Sequence, residues 1–235
     1  IEQLQQHHHT VDVQTEKKVS FGVVRVANIP PCVALTQFLL NVEWSENIAP
    51  RSMAYHSRQV LLLRSEQERH LDTVLKRKEK QGEQPASFSN DLIRQHLDST
   101  NAEHVIFILV ATPVEEVGRD HDFDWAIVEP SSYRSIIQLA GRVMRHRRLE
   151  QDIQQPNIAL LQYNLKGLRG AKVAFEKPGF EVNNDKFKLK TKNLSELIDL
   201  DDHAGISAIP RIQAQIPLKA TEKLADLEHA VLAHS

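Results

Sequence analysis

The stretch ATPVEEVGRDHDFDW, Ala111 to Trp125, gathers Glu115, Glu116, Asp120, Asp122 and Asp124 around His121, directly after the apolar run Val105 to Val110. Carboxylates and an imidazole at this density are the residue types of a divalent-metal site. Their arrangement argues the other way. A metal needs ligands converging from rigid elements, whereas neighbouring side chains in one short extended segment alternate in direction. His121-Asp122 also mimics the H-D pair of metal-dependent phosphohydrolases, but no surrounding set of histidines and aspartates is legible, even with His104 and His146 available. The acidic patch Asp201-Asp202-His203 reads as solvated surface, and the expectation is no metal in this chain.

A second group of residues suits a polyanion. RVMRHRR, Arg142 to Arg148, carries four arginines at the end of SSYRSIIQLAGRVMRHR, which reads as one helix capped by Ser131 or Ser132. On such a helix Ile136, Ile137, Ala140, Val143 and Met144 share an apolar arc. At about 100° per residue, Arg142 and Arg145 fall at about 40° and about 340° from Gln138, so all three leave from the opposite side. Guanidiniums grip phosphate oxygens with paired, charge-assisted donors. The competing reading is that arginines near a helix C-terminus favour the dipole and stay solvated.

These groups need a scaffold, and 235 residues with 41% apolar and 26% charged side chains are enough for one sizeable core and a smaller lobe. Val19 to Ile29 reads as a strand bounded by Pro30 and Pro31, and the helix follows from Cys32. RSMAYHS is a short strand, and LLRSEQERHLDTVLKRK a helix with Leu63, Leu71, Val74 and Leu75 as its buried stripe. NDLIRQHLDS is a helix, HVIFILVA a strand buried on both faces, and DWAIVEP and PNIALLQY further strands. This alternation predicts an α/β domain with a parallel sheet over residues 19–164. Residues 1–18 are a lead-in, with His7, His8 and His9 in a solvated segment, and 165–235 a connector or partial lobe. Between Lys166 and Lys192 eight basic residues face Glu176, Glu181 and Asp185, and a solvated loop is the reading of that stretch.

The net charge of −2 argues against wholesale coating by nucleic acid. No apolar run is long enough to span a bilayer, and the single Cys32 reads as a small core residue in a reducing cytosol. The chain opens on Ile1 rather than methionine, as a fragment of something longer would.

Gln138 to Arg145 matches Q-x-x-G-R-x-x-R, and Thr112, Gly118 and Asp120 match T-x-x-x-x-x-G-x-D upstream of it. Together these resemble two ordered motifs of superfamily-two helicases. More closely, Ala111 to Arg147 resembles the CRISPR-associated helicase-nuclease of type I systems, particularly the type I-F branch, through Thr112, Glu116, Asp120, Asp122 to Asp124 and Gln138 to His146. His56, Ser57, Arg58 and Arg64 look like the family's H-S-R segment, and Gly118-Arg119 departs from a small residue and leucine in many relatives. The resemblance implies a RecA-like second helicase domain in which Gln138, Arg142 and Arg145 reach the γ-phosphate of ATP. Asp120 and Gly118 would lie by the nucleotide, and Thr112, His56, Arg58 and Arg64 by the single-stranded DNA backbone. It implies as partners a first RecA-like half, a nuclease domain and an RNA-guided surveillance complex, with no membrane.

No G-x-x-x-x-G-K-[ST] and no D-E-x-H or D-E-x-D occurs, so the phosphate cradle and most of the Mg²⁺ coordination are expected on the first half. Alone, this chain is expected not to hydrolyse ATP. Two alternatives stay open: the second half of another superfamily-two DNA or RNA translocase, and a non-catalytic module whose Arg142 to Arg148 and Lys166 to Lys192 simply hold phosphates.

Overall fold

The computed structural model describes residues 1–80, 82–116, 118–147, 154–200 and 205–234. In chain order its elements are α1 (Glu2–His7), β1 (Thr10–Val11), β2 (Lys18–Arg25), α2 (Ile29–Asn41), β3 (Ile48–Tyr55), α3 (Leu61–Val74), α4 (Asp91–Asp98) and β4 (His104–Ala111). Then follow β5 (Trp125–Val128), α5 (Tyr133–Ala140), β6 (Ile158–Leu160), α6 (Leu165–Leu168), α7 (Leu194–Leu197), α8 (Ile209–Ile212) and α9 (Leu224–His234). The strands form one sheet in the order β3-β4-β2-β5-β6, with β1 paired to β2. β4 runs parallel to both β2 and β3, placing His104 opposite Lys18 and Ile48. β1 is antiparallel to β2. This is the α/β architecture the strand and helix alternation predicts.

Contacts divide the chain into two compact units, Ile1–Ile127 with Gly141–Ala159, and Val128–Ala140 with Leu160–Ser235. The core of the first is built on β2 and β4, whose Val19, Phe21, Val23, Val105, Ile106 and Val110 are buried as a strand with both faces covered requires. One face gathers Val24, Val26, Leu39, Ile108 and Trp125 with Cys32, whose Sγ donates to the Val110 carbonyl at 3.1 Å. Trp125 lies across β2 where Gly22 has no side chain, and its Nε1 donates to Ser20 Oγ at 3.2 Å.

In the second unit, α5 is capped twice. Ser132 Oγ accepts from the Ser135 N–H, and Glu228 of α9 accepts from the N–H groups of Tyr133 and Arg134. The Lys166 to Lys192 stretch is not a bare solvated loop, because Phe175 and Leu189 are buried there. The buried Glu181 carboxylate accepts from the backbone N–H groups of Ala174, Phe175 and Leu189 and from the Lys192 ammonium.

Several elements differ from the sequence expectation for identifiable reasons. β2 stops at Arg25, and α2 begins at Ile29 with the prolines inside its first turn, where a missing N–H breaks no helical bond. Leu71, Val74 and Leu75 are buried, but Leu63 is 60% exposed because it sits in the opening turn of α3, beyond the sheet it was expected to cover. His8 is buried, its Nε2 against the Pro156 carbonyl at 3.0 Å, so the histidine triplet is only partly solvated. The largest difference is α5, which ends at Ala140 rather than running on to Arg147. Asp201-Asp202-His203 and Arg148 fall outside the described residues.

A Cβ built on Gly22 would come within 2.1 to 2.3 Å of three Trp125 ring atoms. Gly22→Ala should therefore destabilise the chain by about 1–3 kcal/mol, the cost of overpacking a filled core. Urea denaturation would detect this as a lowered midpoint, and an unchanged midpoint would contradict the packing described.

Candidate functional site

In an open parallel sheet, ligands bind beyond the carboxyl ends of the strands. Here β2, β3 and β4 end side by side at Arg25, Tyr55 and Ala111. A groove of about 820 Å³ opens beyond them, lined by Asn28 and Pro30 after β2, Ser57 and Arg58 after β3, Arg64 on α3, and Thr112 and Arg119 after β4. Thr112, Arg58 and Arg64, separated by up to 54 positions in sequence, are thus brought together. Thr112 is buried, and its N–H donates to the Tyr55 carbonyl at 3.1 Å. His56 is not among the residues lining the groove; it is half-buried, with its N–H bound to Gln59 Oε1.

A residue not singled out from the sequence organises one wall. Glu68 Oε1 accepts from the Tyr55 hydroxyl and Arg64 Nε, both at 2.8 Å, and its Oε2 pairs with Arg119 Nη2 at 2.6 Å. Burial alone would raise its pKa, but hydrogen bonds from Tyr55, Arg119 and Arg64 bring it down to about 2. Arg64 also lies 5.9 Å from the Tyr55 ring centroid, within cation–π reach. The i,i+4 spacing of Arg64 and Glu68 was the only local signal of this clamp.

The acidic segment is consumed by internal partners. Asp124 Oδ2 accepts from the Phe21 N–H, and its Oδ1 accepts from Arg77 and Arg147 at 2.7 and 2.5 Å. Asp122 accepts from Arg147 and from the His146 N–H. Glu116 pairs with the fully buried Arg25 at 2.7 Å. His121 lies between Glu115 at 2.6 Å and Asp72 at 3.0 Å. Burial would raise the Asp124 pKa, yet the Arg77 and Arg147 charges hold it below the usual carboxylate range. Among the described residues no group of three or more His, Cys, Asp or Glu is placed to hold a metal ion.

Asp120 is the exception, exposed and turned outward. Its Oδ1 meets His146 Nε2 at 2.7 Å and Arg145 Nη1 at 3.5 Å, and the His146 contact lowers its pKa. Gly118, two residues earlier, adopts φ +69, a left-handed conformation that favours glycine.

Gln138, Arg142 and Arg145 do not form the helical row expected of them. Gln138 is exposed on α5, while Arg142 and Arg145 lie past the helix end. After Gly141 the chain extends to pair with Phe123: the Arg142 carbonyl accepts from the Phe123 N–H at 2.8 Å, and the Met144 N–H donates back at 2.9 Å. Met144 takes φ +49 to complete the turn. Arg142 is consequently buried, with Nη2 on the Glu116 carbonyl at 3.3 Å and Nη1 without an acceptor among the described residues. Burial lowers its pKa. Arg145 remains exposed beside Asp120.

Residues 18–148, more than half of the chain, match the family described as CRISPR-associated nuclease/helicase Cas3, C-terminal. The chain therefore belongs to this family of CRISPR-associated helicase regions. Within it, the chain is similar to the CRISPR-associated nuclease/helicase Cas3 subtype I-F/YPEST of Pectobacterium atrosepticum, at 42% identity over 97% of this chain and 20% of the relative. It is 43% identical to the protein of the same description from Pseudomonas aeruginosa, over 94% of this chain and 20% of that one. The chain thus spans about a fifth of the length of these curated relatives. Among solved structures it matches T. fusca Cas3-AMPPNP with a TM-score of 0.44 and 21% identity, over 61% of this chain and 14% of that one.

Removing Arg147 leaves Arg77 as the ion-pair partner of Asp124 and takes from the buried Asp122 its arginine partner. Arg147→Met should cost about 3–5 kcal/mol, the usual penalty for breaking a buried ion pair. Because the folded Asp124 pKa is depressed, its stabilisation is present above the unfolded value near ~3.9 and is lost as pH falls through the folded one. Denaturation from about pH 7 to about pH 2 should show the wild type losing stability below about pH 4, and Asp124→Asn losing less over that window. Equal acid sensitivity in the two would contradict the assignment.

Proposed function

We propose that this chain is the second RecA-like half of a type I-F helicase-nuclease, an ATP-dependent translocase on single-stranded DNA. Arg142 and Arg145 act as arginine fingers on ATP held by a first half. The observation that carries this reading is the Arg142 guanidinium, buried yet leaving Nη1 with no acceptor among the described residues, in a segment that also exposes Arg145. A desolvated cation with unmet donors is costly unless an anion completes it. A γ-phosphate oxygen has the required charge and acceptor geometry. When bound, ATP supplies the phosphoanhydride bond whose cleavage powers movement.

The residues of this chain bind and orient. Arg145 leaves Asp120 to meet developing negative charge, Asp120 and Gly118 approach the ribose side, and Gln138 contributes from α5. Thr112, Arg58 and Arg64, together with His56, hold the DNA backbone at the strand ends. Ala111 to Asp124 joins the two places, with Thr112 in the groove and Asp120 by Arg145, as a loop coupling nucleotide state to strand binding would. The Mg²⁺ and triphosphate cradle, the nuclease domain and the surface for an RNA-guided surveillance complex belong to the longer protein.

In that full-length protein Arg145→Ala should lower ATP turnover by about 10³-fold, the scale on which arginine fingers act, and lysine should rescue poorly. Arg142→Ala should do the same. Strand binding without nucleotide should survive both. A variant that loses strand binding but keeps its turnover would overturn the reading, as would strand-stimulated turnover by this chain alone.

A further inference from the structure

The groove at the carboxyl ends of β2, β3 and β4 carries a cation, Arg119, to which the strand-binding reading gives no role. The left-handed Gly118 directly precedes it, and Arg119 lines the same groove wall as Arg64, Arg58 and Thr112. No carboxylate is among the described residues lining the groove, whose other polar side chains are Asn28, Tyr55, Ser57 and Thr112.

Both wall arginines are held from behind by one carboxylate. Glu68 Oε1 takes Arg64 Nε and the Tyr55 hydroxyl, and Oε2 takes Arg119 Nη2. Asp72 adds a longer contact to Arg119 Nη1 at 3.3 Å. A guanidinium has five N–H donors, so neither arginine is saturated by these contacts. The buried Tyr55 phenol fixes the carboxylate, and the carboxylate fixes the planes of two guanidiniums. Paired guanidiniums with fixed planes and unspent donors fit the non-bridging oxygens of a phosphodiester backbone.

We propose that Arg119 is a further nucleic-acid backbone ligand of this groove and that Glu68 is the positioning residue presenting Arg119 and Arg64 together; this rests on the strand-binding reading given above. The competing role is structural, with Arg119 as an ion pair tying the loop to α3. The two roles give different salt dependences. Each phosphate contact to a single strand contributes about 0.7 to the slope of log K against log salt, or about fivefold in affinity at about 0.1 M salt. A structural ion pair contributes nothing to that slope.

The experiment is fluorescence anisotropy of the full-length protein with a labelled oligothymidylate, without nucleotide, across a salt series. Arg119→Leu should weaken binding about fivefold at about 0.1 M salt and make the slope shallower by about 0.7. Arg119→Gln serves the same purpose if the leucine variant does not fold. Glu68→Gln removes a negative charge from the wall, so a simple field effect would tighten binding. The positioning role requires weaker binding and a shallower slope. Arg64→Gln separates the two levels of the argument. If it flattens the slope and the Arg119 variants do not, the assignment of Arg119 is overturned while the groove stands. If neither flattens it, the strand-binding reading of the groove falls as well, and tighter binding by Glu68→Gln overturns the positioning role.

Discussion

Asp124 enters the sheet with a carboxylate that has no access to water, and the ways in which it is satisfied dictate much of what surrounds it. One oxygen takes the Phe21 N–H of β2, so β5 is registered against the central strand by a side chain as well as by its backbone. The other takes Arg77, from beyond the end of α3, and Arg147, from beyond the end of α5. Arg147 in turn spans Asp122 and the Phe123 carbonyl. An uncompensated carboxylate here would be prohibitive, so three distant parts of the chain are drawn to one point. Arg142 and Arg145 lie on the segment pulled in by Arg147, and their placement follows from that pull more than from helical geometry.

This constraint separates the acidic residues by environment. Asp122 and Asp124 are internal and paired, whereas Asp120, two positions earlier, is exposed and meets His146 and Arg145. On the proposed reading, the paired aspartates hold the segment rigid while Asp120 and Arg145 remain available to exchange partners when nucleotide arrives. The same loop leaves β4 through Thr112, so a displacement of Asp120 has a short covalent path to the groove. Rigid support behind a few unpaired donors is what electrostatic preorganisation requires.

Much of this was legible in the residues. The apolar run Val105 to Val110 marks a strand buried on both faces, and HVIFILVA is β4 to the residue. NDLIRQHLDS reads as a helix and contains α4, with Asn90 as its side-chain cap. The acidic residues Asp122 and Asp124 were legible as a cluster, but their arginine partners Arg77 and Arg147 were not. Less legible was whatever depends on pairing across the chain. Nothing local stops a helix at Ala140, since Gly141 is tolerated within helices; the extension that ends it is bonded through Arg142 to Phe123, nineteen residues upstream. Leu63 has the spacing of a buried stripe but lies in the first turn of α3, outside the covered region. Glu68 looks like an ordinary i,i+4 partner of Arg64, and only the fold brings Arg119 to its second oxygen.

The dependence on Asp124 is tested most directly by a double-mutant cycle between Asp124→Asn and Arg147→Met, read by urea denaturation at neutral pH. Directly paired buried groups show interaction energies of about 0.5–3 kcal/mol, and the account predicts a value above about 1 kcal/mol, with the double variant less destabilised than the sum of the single ones. Additivity within about 0.3–0.5 kcal/mol would mean that the two residues act independently. The latch between the acidic segment and the arginine segment would then be contradicted.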